Sequence, residues 1–182
     1  GNYTPTETTD LAFTAPTGHL TITGLDENAV YNHKNWIKFY GGAVTIKNLK
    51  WNNVEVKGIA CPDITIADSV TMSGKSLYIY ANDASAPLDR ITVNVATGKY
   101  IIVSSTYNTV TVGSEEKPGS IYMTLDGGRY EYFVFGGGEK GSSTVYGNAI
   151  IEINGGTFDY GLNDYVRFQN IGNITGKKIA IL

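Results

Sequence analysis

The chain has 182 residues, enough for one domain with a substantial core and too few for two comfortable ones. Only 17% of residues are charged, the net charge is -3, and Lys and Arg are scattered, so there is no basic stripe to grip a phosphate backbone and nucleic acid is not an expected partner. Gly is plentiful at 22, Tyr outnumbers Phe by 13 to 6, and the apolar segments are short and rich in Val, Ile and Thr, which is a β composition without any run near the roughly 20 residues that span a bilayer.

The chain opens on Gly1 and not Met, which reads as a scar left where a natural beginning has been lost. Residues 1–17 then carry Thr4, Thr6, Thr8, Thr9, Thr14 and Thr17 with Pro5 and Pro16, a polar extended stretch without helical period. It reads as a segment feeding a single domain over 18–182. Within that domain an apolar-threonine-apolar element recurs: Leu20-Thr21-Ile22, Val44-Thr45-Ile46, Ile64-Thr65-Ile66, Ile91-Thr92-Val93 and Val110-Thr111-Val112. This is strand alternation with the threonine outward. The spacings of 24, 20, 27 and 19 residues are far too long for hairpin partners and suit one circuit of a coil each.

Between these lie further short strands, at Val54-Glu55-Val56, Leu77 to Tyr80 and Tyr100 to Val103, and later at Ile121-Tyr122-Met123, Ile151-Glu152-Ile153 and Ile179-Ala180-Ile181. Glycines and Asx pairs such as Asn52-Asn53 and Asn82-Asp83 supply corners. The stretch Glu27 to Tyr40 has apolar residues at mixed spacing and is expected to form a short helix or lid capping an end of the stack.

The clearest repeat comes late. Asp126-Gly127-Gly128-Arg129-Tyr130-Glu131-Tyr132 recurs 28 positions on as Asn154-Gly155-Gly156-Thr157-Phe158-Asp159-Tyr160. A fixed interval of this size marks a solenoid, here of roughly seven or eight turns. Alternation puts Tyr130 with Phe158 on one face, most simply as core, and Glu131 with Asp159 on the other. Two carboxylates at about 5 Å repel by roughly 1–3 kcal/mol. Either a cation such as calcium or the neighbouring Arg129 would offset that, and the arginine is the simpler reading.

Other candidates are weaker. Trp36 and Trp51 with Tyr40 suit a sugar-stacking groove or plain packing. The glycine-rich Gly136 to Ser143 lacks the Gly-Lys-Ser/Thr order of a phosphate loop, since Lys140 precedes Gly141. Cys61 is alone, which rules out an internal disulfide framework. His19 and His33 have no partner in a recognisable context. Asn2-Tyr3-Thr4 and Asn173-Ile174-Thr175 match a glycosylation sequon that matters only in a eukaryotic secretory host.

The segments Gly18 to Gly24 and Val44-Thr45-Ile46-Lys47-Asn48-Leu49-Lys50-Trp51-Asn52-Asn53-Val54 resemble the pectin-lyase-like right-handed parallel β-helices, with an Ile-Thr-Ile strand, then Asn-Leu, an aromatic and asparagines. Asp126-Gly127-Gly128, Phe135 to Gly138 and Asn154 to Phe158 are similar to the glycine-rich repeats of bacterial adhesin-like surface proteins. The resemblance implies an all-β right-handed parallel β-helix. Lyases of this fold use clustered acids and a basic residue, and this chain has only Arg90, Arg129 and Arg167, widely separated. The expected function is therefore non-catalytic, with no cofactor: a secreted or cell-surface bacterial protein used in adhesion or glycan binding. The alternatives are a polysaccharide lyase or glycoside hydrolase, and a structural stalk. The apolar Ile179-Ala180-Ile181-Leu182, with no polar cap after it, points to incompleteness, so that further strands of a longer chain or end-to-end self-association would cover it.

Overall fold

The alternating segments become strands that stack in parallel, and no α-helix occurs among the described residues. The computed structural model describes residues 2–3, 11–14, 18–26, 28–32, 36–40, 42–52, 55–59, 63–72, 77–82, 90–97, 99–106, 111–131, 134–136, 143–159, 166–167 and 172–182. In chain order the strands begin with β1 (Asn2–Tyr3), β2 (Leu11–Thr14), β3 (His19–Thr23), β4 (Val30–Asn32), β5 (Trp36–Tyr40) and β6 (Ala43–Lys47). They continue through β7 (Lys50–Asn52), β8 (Glu55–Ile59), β9 (Asp63–Ile66), β10 (Thr71–Met72), β11 (Leu77–Asn82) and β12 (Arg90–Val95). Next come β13 (Lys99–Thr106), β14 (Thr111–Val112), β15 (Ser120–Leu125), β16 (Arg129–Tyr130), β17 (Val134–Phe135) and β18 (Ser143–Val145). The last are β19 (Ala149–Ile153), β20 (Thr157–Phe158), β21 (Val166–Arg167), β22 (Gly172–Ile174) and β23 (Lys178–Ile181).

These strands form four sheets. One long sheet runs β3-β6-β9-β12-β15-β19-β23, seven strands each parallel to the next. A second sheet holds β2, β5, β8, β11, β13, β16 and β20 with β17 and β21 beside them, and two short sheets, β1-β4-β7-β10 and β14-β18-β22, close the remaining sides. A parallel β-solenoid is the result. Among the described residues it shows about three turns, and not the seven or eight expected.

Register explains the core. On the long sheet Leu20, Val44, Ile64, Val93, Met123, Ile151 and Ala180 form one inward column, and Ile22, Ile46, Ile66, Val95, Leu125 and Ile153 form a second. Successive rungs lie about 4.8 Å apart, so each column is a continuous apolar filament. Its middle members, Val44 through Ile151, are 0–1% exposed, whereas Leu20 and Ala180 at the two ends are not buried. Burial therefore comes from neighbours above and below.

Two expectations are corrected. The described residues of the Glu27 to Tyr40 stretch are not a helix or lid: they contain β4 and β5, rich in the β-branched and aromatic residues that favour strands, and Phe39 is buried to 2% exposure. Nor do the outward threonines of the five apolar-threonine-apolar triplets stack as a single column. Thr21, Thr45 and Thr65 are in register, but the next position is Asn94, because Val93 and not Ile91 lies opposite Ile64. Thr92 pairs with Asp63, and Thr111 lies in the β14-β18-β22 sheet. A side-chain period of two cannot distinguish a strand from itself shifted by two residues.

Glycine sets the closeness of two corners. A Cβ on Gly147 would collide with the carbonyl oxygen of Gly119, and one on Gly176 with that of Gly147. In the late repeat, Gly128 and Gly156 take φ of 96° and 109°, a region that other residues adopt at a cost.

Candidate functional site

Among the described residues the outward face of the long sheet is a regular surface built from two columns. One outward column reads Thr21, Thr45, Thr65, Asn94, Thr124, Glu152 and Ile181. The other reads His19, Ala43, Asp63, Thr92, Tyr122, Ile150 and Ile179. Polar groups bond across rungs: Asn94 Nδ2 donates to Thr65 Oγ1 at 3.2 Å, and His19 Nε2 lies 2.7 Å from Thr45 Oγ1. These contacts orient the side chains along the stack. The face offers hydroxyls and amides over its first five rungs, an exposed aromatic at Tyr122, and isoleucines beyond.

The late repeat builds a second constellation at a corner. Asn154 Nδ2 donates to Asp126 Oδ1 at 2.9 Å, joining the first residues of the two copies. Tyr130 and Phe158 stack with centroids 4.7 Å apart and planes at 15°, and the Tyr130 hydroxyl donates to Gly127 O at 2.7 Å. Tyr130 is core, as its alternation implied. Burial first, and then the charge of Asp126, push its phenol well above the usual tyrosine range.

Of the acidic pair singled out from sequence, Asp159 is engaged by Arg129, whose Nε donates to Oδ1 at 2.8 Å and whose Nη2 donates to Oδ2 at 3.0 Å. The hydrogen bond to Asp159 and its charge raise the guanidinium pKa further, and Glu131 adds a smaller push in the same direction. Positive charge at this corner comes from a side chain. Among the described residues no group of three or more His, Cys, Asp and Glu is placed to hold a metal ion.

Trp36 and Trp51 are not brought together on one sheet. Trp36 opens β5 opposite Glu55, while Trp51 sits in β7 between Tyr31 and Met72. Their side chains lie outside the described residues, as do Tyr40's side chain, Cys61, His33, Tyr132, Tyr160 and the Gly137 to Ser142 part of the glycine-rich segment. A shallow cleft of about 330 Å³ opens where the long sheet turns into β4 and β7, lined by Leu25, Asp26, Asn48, Leu49, Lys50 and Ser69.

Sequence reading missed Asn94, Thr124 and Tyr122 as members of the outward columns: Met123-Thr124-Leu125 is an apolar-threonine-apolar triplet at the right offset and was a signal, whereas Asn94 and Tyr122 stand in no such triplet. It also passed over Asp126 and Asn154, although their matching place in the two copies was a signal. Comparison with protein-family models, with characterised proteins and with solved structures finds no match to this chain.

Proposed function

We propose that this β-solenoid is a non-catalytic part of a secreted or cell-surface bacterial protein and that the outward face of its long sheet binds glycan chains in adhesion. The observation that carries the reading is the in-register column Thr21, Thr45, Thr65, Asn94 and Thr124. It repeats hydrogen-bonding groups at the rung spacing of about 4.8 Å on a rigid backbone, which suits a linear polymer with its own regular array of hydroxyls. Tyr122, two residues before Thr124 on the same strand face, adds an exposed ring for stacking. The resemblance to pectin-lyase-like helices and adhesin-like repeats points the same way, toward carbohydrate outside the cell.

The test is a panel of acidic and neutral polysaccharides scored at once for binding and for new unsaturated or reducing ends. Binding without turnover that is lost in Thr65→Lys and Asn94→Lys supports the reading. Turnover moves the protein to the lyases or hydrolases, and silence in both assays leaves a structural stalk.

A further inference from the structure

Asn154-Gly155 is the one Asn-Gly step in the chain. It lies at the corner between β19 and β20, where Asn154 is exposed. An asparagine amide is an electrophile for the backbone nitrogen of the residue that follows it, and a glycine in that place has no Cβ to crowd the attack. Asn48-Leu49, Asn94-Val95 and Asn148-Ala149 each carry a side chain there. In the first copy of the repeat the same corner is Asp126-Gly127, and a carboxylate is a far poorer electrophile than an amide.

The rung beneath holds both reacting groups. Asn154 Nδ2 donates to Asp126 Oδ1 at 2.9 Å, which fixes the amide. Gly155 N donates to Leu125 O at 3.2 Å, so the nucleophile's N–H is aimed at a carbonyl of the preceding rung and not at the neighbouring side chain. Gly155 lies so close to that rung that a Cβ on it would meet Asp126 O at 2.6 Å, and Thr157 N continues the contact with a bond to Gly128 O at 2.8 Å. Ring closure between Gly155 N and Asn154 Cγ therefore requires the corner to lift from the rung below. How often it opens sets the rate.

We infer that Asn154 is a self-modification site, a deamidating asparagine held in check by Asp126 and Leu125 of the preceding rung. In the reaction Gly155 N gives its proton to solvent base and bonds to Asn154 Cγ, the Cγ–Nδ2 bond breaks, and Nδ2 leaves as ammonia, giving a succinimide. Water then adds to one of the two ring carbonyls and opens it, leaving aspartate or isoaspartate in the chain. No oxidant or reductant takes part. Neither product rebuilds the corner. Aspartate sets a second carboxylate where the amide donated to Asp126, and isoaspartate routes the backbone through its side chain, adding a carbon to the span that Gly155 N and Thr157 N now tie to Leu125 O and Gly128 O. The loss of ammonia is irreversible in solution, so the corner keeps a record of its openings.

The test incubates the folded chain, and the same chain unfolded in guanidinium chloride, at neutral pH and follows amide-to-acid conversion by peptide mass spectrometry, with an isoaspartyl methyltransferase assay for isoaspartate. The unfolded chain should convert Asn154 ahead of its other asparagines, and the folded chain should convert it more slowly by about tenfold or more. Asp126→Ala frees the amide and should quicken the folded reaction by about threefold or more, with unchanged circular dichroism separating this from unfolding. Asn154→Gln should remove the isoaspartate signal from this peptide, because its cyclisation needs a larger ring. No conversion of Asn154 in the unfolded chain overturns the inference, and so do equal rates in the folded and unfolded chains. A folded Asp126→Ala chain that reacts no faster than wild type overturns it as well. If that variant does not fold, the ratio of folded to unfolded wild-type rates decides alone.

Discussion

Arg129 and Asp159, 30 residues apart in sequence, meet across two rungs in a two-point ion pair with Nε to Oδ1 at 2.8 Å. The fold supplies the proximity, since Arg129 lies opposite Thr157 in the β16 and β20 register and Asp159 follows two residues later. The pair is open to solvent, with the arginine side chain 55% exposed, so water and salt screen it. Arg129→Ala should lower the urea midpoint slightly, through uncovered repulsion between Asp159 and Glu131, and the difference should vanish near 1 M salt. Arg129→Lys should recover only part of the effect, because a single ammonium cannot reproduce the planar two-point contact. A loss that survives high salt would contradict this account.

Tyr130 ties stability to alkaline pH. Its phenol is neutral in the folded protein to a higher pH than in the unfolded chain, where it titrates near pH 10. Below about pH 10 both states hold the proton and stability is unaffected. Above it the unfolded state loses the proton first, so this residue makes stability fall with rising pH by up to about 1.4 kcal/mol per unit. Tyr130→Phe should flatten that part of the profile between pH 10 and 11.5, measured by denaturant unfolding. At neutral pH the same variant should cost about 1 kcal/mol for the lost bond to Gly127 O.

The fold was legible in the sequence wherever alternation and interval agreed. Ile64-Thr65-Ile66 announces a buried-outward-buried strand, and the 28-residue step from Asp126 to Asn154 announces the rung that brings their side chains together. Offset was not legible. Ile91-Thr92-Val93 has the same pattern as its predecessors, yet only the paired backbone shows that it sits two residues out of line. The Trp36 to Tyr40 stretch misled because a strand entered from a corner has no run long enough to separate a period of 2 from 3.6. Of the candidate site, the Arg129, Glu131 and Asp159 cluster could be read because a repeat aligned it, whereas Asn94 and Tyr122 belong to columns that exist only in three dimensions.

Column position should decide the cost of truncation. Ile64 and Ile22 are both inward isoleucines on the long sheet, but Ile64 is fully buried between Val44 and Val93, while Ile22 is half-buried and, among the described residues, is paired only with Ile46 in its column. Ile64→Ala is expected to cost about 2–5 kcal/mol in denaturant unfolding. Ile22→Ala should cost clearly less, and equal losses would argue against a core built rung on rung.

Gly147 tests the corner. Its missing side chain lets the carbonyl of Gly119 approach, and Gly176 repeats the arrangement against Gly147 itself. Gly147→Ala must push two backbone segments apart, since no flexible side chain is there to yield, and should destabilise by at least about 2 kcal/mol. Gly18→Ala is the control, having open space around its Cβ position, and should be near neutral.

Asn154 occupies the place in the second copy that Asp126 holds in the first, and the difference of one atom has an electrostatic reason. The amide donates to Asp126 Oδ1 at 2.9 Å, whereas a carboxylate there would set two negative charges against each other on adjacent rungs. Asn154→Asp should therefore lower stability at pH 7 by about 0.5–2 kcal/mol, the lost donor and the repulsion acting together. Asp126→Asn in the same background should relieve it at neutral pH, and thermal unfolding of the four proteins as a cycle would show whether the two sites are coupled.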